Sequence, residues 1–153
     1  MNKIETIKPN LPLFLYGQSL GGQILQKSIN LHKKKNYKAV LIEASFVSYR
    51  SIARRIAAKS WITWLLQPVA WLVMSDRWAG DPALISPVPI YVLHGDQDQV
   101  IPIDQGEAIF EKSLEPKKWK VFEGGQHTNT YFIKKGIYRQ YLLDTLDSEL
   151  GKN

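Results

Sequence analysis

The chain has 153 residues, of which 44% are hydrophobic and 22% charged, and these proportions exclude a disordered or collagen-like protein. It has no cysteine, which excludes disulfide scaffolds, thiolate metal sites and cysteine nucleophiles. The net charge of +6 permits an anionic partner. Its lysines and arginines fall in separate segments without interleaved aromatic residues, so we expect no nucleic-acid binding. The polar first ten residues lack the apolar core of a signal peptide, which favours a cytoplasmic protein.

Short apolar runs alternate with helical patterns along most of the chain. Strands separated by helices indicate a mostly parallel sheet covered on both faces, a three-layer α/β sandwich. Between the second and third strands, residues 48–87 form a helical, tryptophan-rich insertion with no strand pattern. No linker divides the chain, so we expect one domain over residues 1–153. The predicted strands are 11–16, 37–44, 89–93 and 119–122, and the predicted helices are 20–35, 104–113 and 131–150.

The first chemical motif is a serine between the first strand and the first helix. A tight strand–turn–helix connection strains the serine backbone and pushes the hydroxyl out at the carboxyl end of the sheet. We expect Gly17 and Gly21 to leave room for the close crossing of strand and helix. The pattern is common by chance, but its place between a strand and a helix favours a nucleophile over an idle serine. The motif is Gly17-Gln18-Ser19-Leu20-Gly21-Gly22, a match to Gly-x-Ser-x-Gly.

A serine nucleophile needs a base, and the base needs an acid that orients it. After this type of turn, the chain order is Ser, then Asp or Glu, then His. Asp96 and Asp98 follow the third predicted strand, and His127 follows the fourth. Because ligand sites of open α/β sheets gather at the carboxyl ends of the strands, we expect these groups to meet there. Glu43, near the end of the second strand, is a stand-in acid in principle, although a cap for the following loop is the simpler interpretation.

These motifs resemble the carboxyl-terminal half of an α/β-hydrolase domain. The similar branch contains prolyl-oligopeptidase-like serine peptidases, esterases and membrane-associated hydrolases that include protein depalmitoylases. The resemblance rests on Gly-x-Ser-x-Gly-Gly at 17–22, His-Gly-x-x-Asp-x-x-x-Pro at 94–102 and Gly-x-x-His at 124–127. It covers nearly all of the chain and does not specify a substrate.

Residue by residue, the resemblance implies that Ser19 is the nucleophile, Asp98 the acid and His127 the base. The amide of Leu20 would be one oxyanion donor, and His94 would be a hydrogen-bonded residue that shapes the loop. The expected reaction is cleavage of an ester or thioester through an acyl-enzyme, with an amide left open. It needs no metal and no cofactor, and the substrate would be a small molecule or an acylated partner.

The insertion occupies the place where the family carries a cap over the site. Its aromatic and leucine side chains could line an acyl pocket or only pack the cap onto the sheet. Arg54 and Arg55, beside this apolar run, also suit a helix at an anionic bilayer, so a peripheral membrane contact stays open. The stretch 61–74 is too short to span a membrane. The pocket candidates are Trp61, Trp64, Leu65 and Trp71.

The chain departs from the family pattern at its amino-terminal side. A complete family domain has about four more strands before the elbow strand, and a loop among them supplies the second oxyanion amide. We therefore expect an N-terminally truncated domain in which the elbow strand lies at an edge. Such an edge favours self-association or pairing with a second chain. The alternative functions are a catalytically inactive half-domain or protein-binding module, and a serine peptidase.

Overall fold

A four-stranded, fully parallel sheet forms the centre of the fold. The computed structural model describes residues 11–32, 36–58, 68–69, 72 and 75–151. The strands lie in the order β1 (Leu13–Gln18), β2 (Tyr37–Glu43), β3 (Ile90–Gly95) and β4 (Lys117–Phe122). The helices are α1 (Leu20–Leu31), α2 (Tyr49–Ala57), α3 (Ile103–Lys112) and α4 (Ile137–Leu150), with short 3-10 turns at Asp76–Trp78, Pro82–Ile85 and Lys134–Gly136. The predicted α/β class is confirmed.

Alternating side chains of the central strands fill two separate layers of core. Because successive side chains of a strand point to opposite faces, Val40 and Ile42 pack under α1 and α3, whereas Ala39 and Leu41 pack under α4. Strands β2 and β3 are buried on both faces and read as continuous apolar runs, as expected for parallel strands. The three layers place the carboxyl ends of all four strands at one end of the domain.

Two sequence-based boundaries differ from the structure. The last helix begins at Ile137 instead of residue 131, because Lys134, Lys135 and Gly136 have positive φ angles of 46°, 58° and 75°, which a right-handed helix cannot contain. The insertion is helical only in part. It contains α2 and two 3-10 turns, and most of the apolar stretch 61–74 lies outside the described residues.

Strand β1 lies at one edge of the sheet in the described part of the chain. There it pairs with β2 on one side only. The side chains of Leu11 just before it, Tyr16 within it, and Leu20 and Ile24 on α1 are exposed. The predicted edge position of the elbow strand is thus observed for these residues. Within the same residues, no helix is both long and apolar enough to cross a lipid bilayer.

Candidate active site

Ser19 sits on a strained turn at the carboxyl end of β1. Its φ of 55° and ψ of −126° are unfavourable for any residue with a side chain. The turn is held by two neighbours on the β2 side: the Ser19 amide donates to the Glu43 carbonyl at 2.9 Å, and the Ser45 hydroxyl donates to the Ser19 carbonyl at 2.8 Å. Backbone strain of this kind costs about 1–3 kcal/mol and persists only where surrounding contacts fix it. The predicted strain at this serine is therefore present, together with the contacts that maintain it.

The glycines of the turn have different surroundings. A Cβ added at Gly17 would lie 2.7 Å from the Gly21 carbonyl oxygen and 2.9 Å from the Gly22 Cα. A Cβ at Gly22 would lie 2.5 Å from the Ser45 hydroxyl, whereas one at Gly21 would meet no described atom within 4 Å. The expectation that Gly21 makes room for the strand–helix crossing is therefore wrong for the described residues. Gly17 is the position where β1 and α1 approach too closely for a side chain, and Gly22 is the position where α1 approaches Ser45, just after β2.

The loop after β3 fixes the carboxylate of Asp98. One of its oxygens, Oδ1, accepts hydrogen bonds from the amides of Val100 at 2.8 Å and Ile101 at 2.9 Å. His94 supports the same loop, because its Nε2 lies 2.8 Å from the Ile101 carbonyl. These contacts leave Oδ2 of Asp98 free to face the loop after β4. His94 thus has the loop-shaping contacts that the resemblance implied.

His127 joins the two other predicted site residues. Its Nδ1 lies 2.8 Å from Oδ2 of Asp98, and its Nε2 lies 3.0 Å from the Ser19 hydroxyl. Asp96, the alternative acid, instead accepts a hydrogen bond from the Gly124 amide at 2.6 Å. With Nδ1 donating to a carboxylate, Nε2 is the basic nitrogen that faces the hydroxyl. The arrangement can take a proton from Ser19 while Asp98 holds the imidazole tautomer.

The loops that carry Asp98 and His127 are packed backbone against backbone. The Gln97 amide donates to the Gly125 carbonyl at 2.8 Å. A Cβ at Gly95 would lie 2.2 Å from that same carbonyl oxygen, so only glycine fits there. Thr128, next to His127, has a positive φ of 60°. The close fit of the two loops determines the separation of the acid and the imidazole.

His94 is fully buried beside the acid, and burial lowers the pKa of its imidazole below the usual range, against opposing effects of the Ile101 carbonyl and Asp98. Its Nε2 lies 3.6 Å from Oδ2 of Asp98. A neutral imidazole that donates through Nε2 satisfies the Ile101 carbonyl and adds no positive charge next to the acid.

Glu43 has no contact with the imidazole of His127 but is surrounded by donors. Its side chain is fully buried and accepts hydrogen bonds from the Tyr16 hydroxyl, the Gln18 side-chain amide at 3.2 Å and the Thr130 hydroxyl. Burial, followed by the charge of Glu43, raises the pKa values of Tyr16 and Tyr131. Glu43 was predicted as a stand-in acid or a loop cap, whereas Tyr16 and Thr130 were not among the predicted site residues. A charged residue that ends an otherwise apolar strand was the available signal for such a cluster.

Other predicted site residues have simpler outcomes. Leu20 begins α1, so its amide is one of the first helical N–H groups, which lack an intrahelical partner. Gln18 binds Glu43 as described above. The pocket candidates Trp61, Trp64, Leu65 and Trp71 lie outside the described residues.

Several solved structures with the same fold carry hydrolase, esterase or peptidase names. The chain aligns with an acylaminoacyl peptidase from Pyrococcus horikoshii at a TM-score of 0.71 and 13% identity, covering 99% of this chain and 27% of that one. It aligns with an α/β-hydrolase enzyme from a lagoon-sediment metagenome at a TM-score of 0.64 and 17% identity, covering 96% and 66%. The esterase RhEst1 from Rhodococcus gives a TM-score of 0.64 at 13% identity, covering 95% and 69%. The chain has the α/β-hydrolase fold.

Sequence relatives add length information but no activity. The Escherichia coli protein YfhR is 28% identical over 142 residues, covering 91% of this chain and 46% of that protein. The Bacillus subtilis protein YqkD is 23% identical over 163 residues, covering 97% and 53%. Both are named as uncharacterized proteins. The chain spans about half the length of the curated relatives it matches, and no protein-family model matches it.

Proposed function

We propose that this chain carries the catalytic residues of a serine hydrolase that cleaves esters or thioesters. One observation carries the proposal: the hydrogen-bonded series from the Ser19 hydroxyl to His127 at 3.0 Å and from His127 to Asp98 at 2.8 Å. A histidine within hydrogen-bond reach of a serine, oriented in turn by a buried carboxylate, is the geometry that activates a serine nucleophile. The strained backbone of Ser19 further supports a functional serine.

The chemistry follows from the positions of the donors and acceptors. His127 Nε2 accepts the proton of Ser19 as the serine oxygen attacks an acyl carbonyl. Asp98 holds the Nδ1–H tautomer and stabilises the imidazolium. The Leu20 amide at the start of α1 donates to the developing oxyanion. His127 then protonates the leaving group. In the second half of the reaction His127 takes a proton from the water that attacks the acyl carbonyl, and it returns this proton to the Ser19 oxygen as the acid leaves.

An oxygen ester or thioester is the preferred substrate class because the predicted cap insertion is rich in tryptophan and leucine. The esterase name of one structural neighbour supports this class, and the acylaminoacyl peptidase name of another supports amide cleavage as the variant. The absence of cysteine supports a cytoplasmic location. Contact of α2 with an anionic membrane surface stays a prediction, which flotation of the chain with anionic vesicles tests.

Initial rates on matched substrates test the proposal. The purified chain is assayed with p-nitrophenyl acetate, butyrate and octanoate, a thioester of the preferred acyl length and an aminoacyl nitroanilide. We expect ester and thioester turnover that Ser19→Ala and His127→Ala each abolish. Turnover of the nitroanilide above the esters would move the assignment to a peptidase. Ester turnover that survives in Ser19→Ala would refute the serine mechanism.

A second candidate function rests on the edge of the sheet. In the described part of the chain, β1 has a free edge, and Leu11 just before it, Tyr16 within it and Ile24 on α1 have exposed side chains. Such an edge accepts a further strand from another protein or from a second copy. The chain would then be a strand-binding module without catalysis of its own. Light scattering that shows a monomer over a wide concentration range would count against self-association.

A further inference from the structure

Glu43 is a buried carboxylate that the proposed mechanism does not use. It ends β2, its side chain is fully buried, and three donors from two separate chain segments reach it. A buried carboxylate is costly unless it is hydrogen-bonded, so the protein has arranged these donors around it. The acid of the triad is already present, because Asp98 holds His127 at 2.8 Å. Glu43 therefore needs a different role.

Every segment that binds Glu43 also carries a site residue. Tyr16 and Gln18 lie on β1, and Gln18 directly precedes Ser19. Thr130 lies three positions after His127 in the loop that follows β4. The backbone carbonyl of Glu43 also accepts the Ser19 amide at 2.9 Å. One residue thus contacts both sides of the serine–imidazole pair.

The two carboxylate oxygens of Glu43 bind different chain segments, β1 and the loop that carries His127. Oε2 accepts from Tyr16 and from Gln18 at 3.2 Å, and Oε1 accepts from Thr130. All three donors suit a carboxylate that only accepts, so the carboxylate bridges β1 to the His127 loop. A glutamine has one acceptor oxygen and an NH2 group that only donates, so it keeps both sides only if a hydroxyl that now donates turns to accept, and it removes the negative charge.

We propose that Glu43 is a positioning residue that sets the distance between Ser19 and His127 and adds negative charge next to the site. This proposal rests on the proposed serine-hydrolase function. Fixing the turn and the histidine loop to one carboxylate keeps the 3.0 Å approach of the hydroxyl to the imidazole. A displacement of about 1 Å in such a pair can cost about 100-fold in rate. The buried carboxylate also favours the positive charge that develops in the site during reaction.

The chain contains a matched control for Glu43. Glu149 on α4 is also a buried glutamate that accepts a hydrogen bond from a tyrosine, Tyr91. Tyr91 lies near the start of β3, at the opposite end of the sheet from Ser19. The substitutions Glu43→Gln and Glu149→Gln therefore make the same chemical change to a buried carboxylate–tyrosine pair, with and without contact to the site.

The experiment measures the rate of labelling by a fluorophosphonate between about pH 5 and 9 for the whole chain and its variants. We expect Glu43→Gln to slow labelling by about 10- to 100-fold. We also expect the pH midpoint of labelling to fall, because the substitution removes a negative charge that favours positive charge in the site. Glu149→Gln should keep the wild-type rate and midpoint even where it lowers the melting temperature. The titratable groups around the imidazole and Glu43 in the described residues are Asp98, His94, Tyr16 and Tyr131.

If Glu43→Gln fails to fold, Thr130→Val tests the positioning role of Glu43. Valine keeps the shape of threonine and removes only the donor to Oε1. We expect slower labelling with the wild-type pH midpoint, because the charge stays in place. Wild-type rates and midpoints in both variants would overturn the proposal while leaving the serine-hydrolase function intact. No labelling of the wild-type chain would refute the proposed function itself, and the role of Glu43 would fall with it.

Discussion

Alanine substitutions at two glycines of the same turn should change the stability of the fold in opposite directions. Gly17→Ala would place a Cβ 2.7 Å from the Gly21 carbonyl oxygen and 3.0 Å from its carbonyl carbon. Both obstacles are backbone atoms of α1, so no side chain can rotate away. Gly21→Ala would place a Cβ where no described atom lies within 4 Å. The Gly-x-Ser-x-Gly pattern treats the two positions alike, whereas the structure separates them.

The expected effects differ in sign. Forcing extra volume into a packed site destabilises a fold by about 1–3 kcal/mol. Because the surroundings of Gly17 are rigid backbone, we expect Gly17→Ala to cost about 3 kcal/mol of stability. For a domain of this size that lowers the melting temperature by roughly 6–12 °C. Gly21 lies inside α1, where replacing glycine by alanine gains about 0.5–1 kcal/mol. Gly21→Ala should therefore raise the melting temperature by roughly 1–4 °C.

Thermal and urea unfolding of the two variants, followed by circular dichroism, measure this difference, and fluorophosphonate labelling reports on the turn. Gly17→Ala should lose both stability and labelling of Ser19, because the displaced α1 carries the Leu20 amide with it. Gly21→Ala should label at the wild-type rate. Equal destabilisation by both substitutions would show that the account of the strand–helix crossing is wrong.

Two further predictions concern the loop after β3. Asp98→Asn should slow labelling by about 10³–10⁴-fold, because an amide leaves His127 in the wrong tautomer, whereas Asp96→Asn should change the rate less than about threefold. Similar losses in both variants, measured as initial labelling rates, would refute the choice of acid. Burial lowers the pKa of His94, so the unfolded chain binds more protons than the native one as pH falls through about 6.5. Stability should therefore fall on acidification below that pH. His94→Gln, which keeps a donor for the Ile101 carbonyl, should reduce this slope in urea titrations from about pH 7 to 5, and an unchanged slope would contradict the role of His94 burial.

Periodicity and glycine placement were sufficient to predict the parallel sheet and its flanking helices. Apolar runs such as 37–44 and 89–93 are long enough to identify buried strands, and chain order then aligned their carboxyl ends. The motif spacing also brought Ser19, Asp98 and His127 to one place, where the structure joins them through hydrogen bonds. Local patterns succeed here because each residue of this set directly follows a strand.

Contacts between distant segments were not predictable in the same way. The start of α4 depends on the positive φ angles of Lys134 and Lys135, which no apolar period reveals. The bridge from Glu43 to Thr130 joins residues 87 positions apart, so only the folded chain shows it. At Gly21, by contrast, the motif predicted a close packing contact that the described neighbours do not show. Sequence patterns identify strand ends, whereas packing between loops decides which side chains meet.

Intact-mass spectrometry of the chain after reaction with a fluorophosphonate shows whether Ser19 is an activated nucleophile. The wild-type chain should gain the mass of one phosphonyl group, and Ser19→Ala should gain none. Loss of the adduct in His127→Ala, with folding intact by circular dichroism, would tie the reactivity to the imidazole 3.0 Å from the serine hydroxyl. A folded wild-type chain that gains no mass, or an adduct that persists in Ser19→Ala, would contradict the assignment of Ser19 as an activated nucleophile.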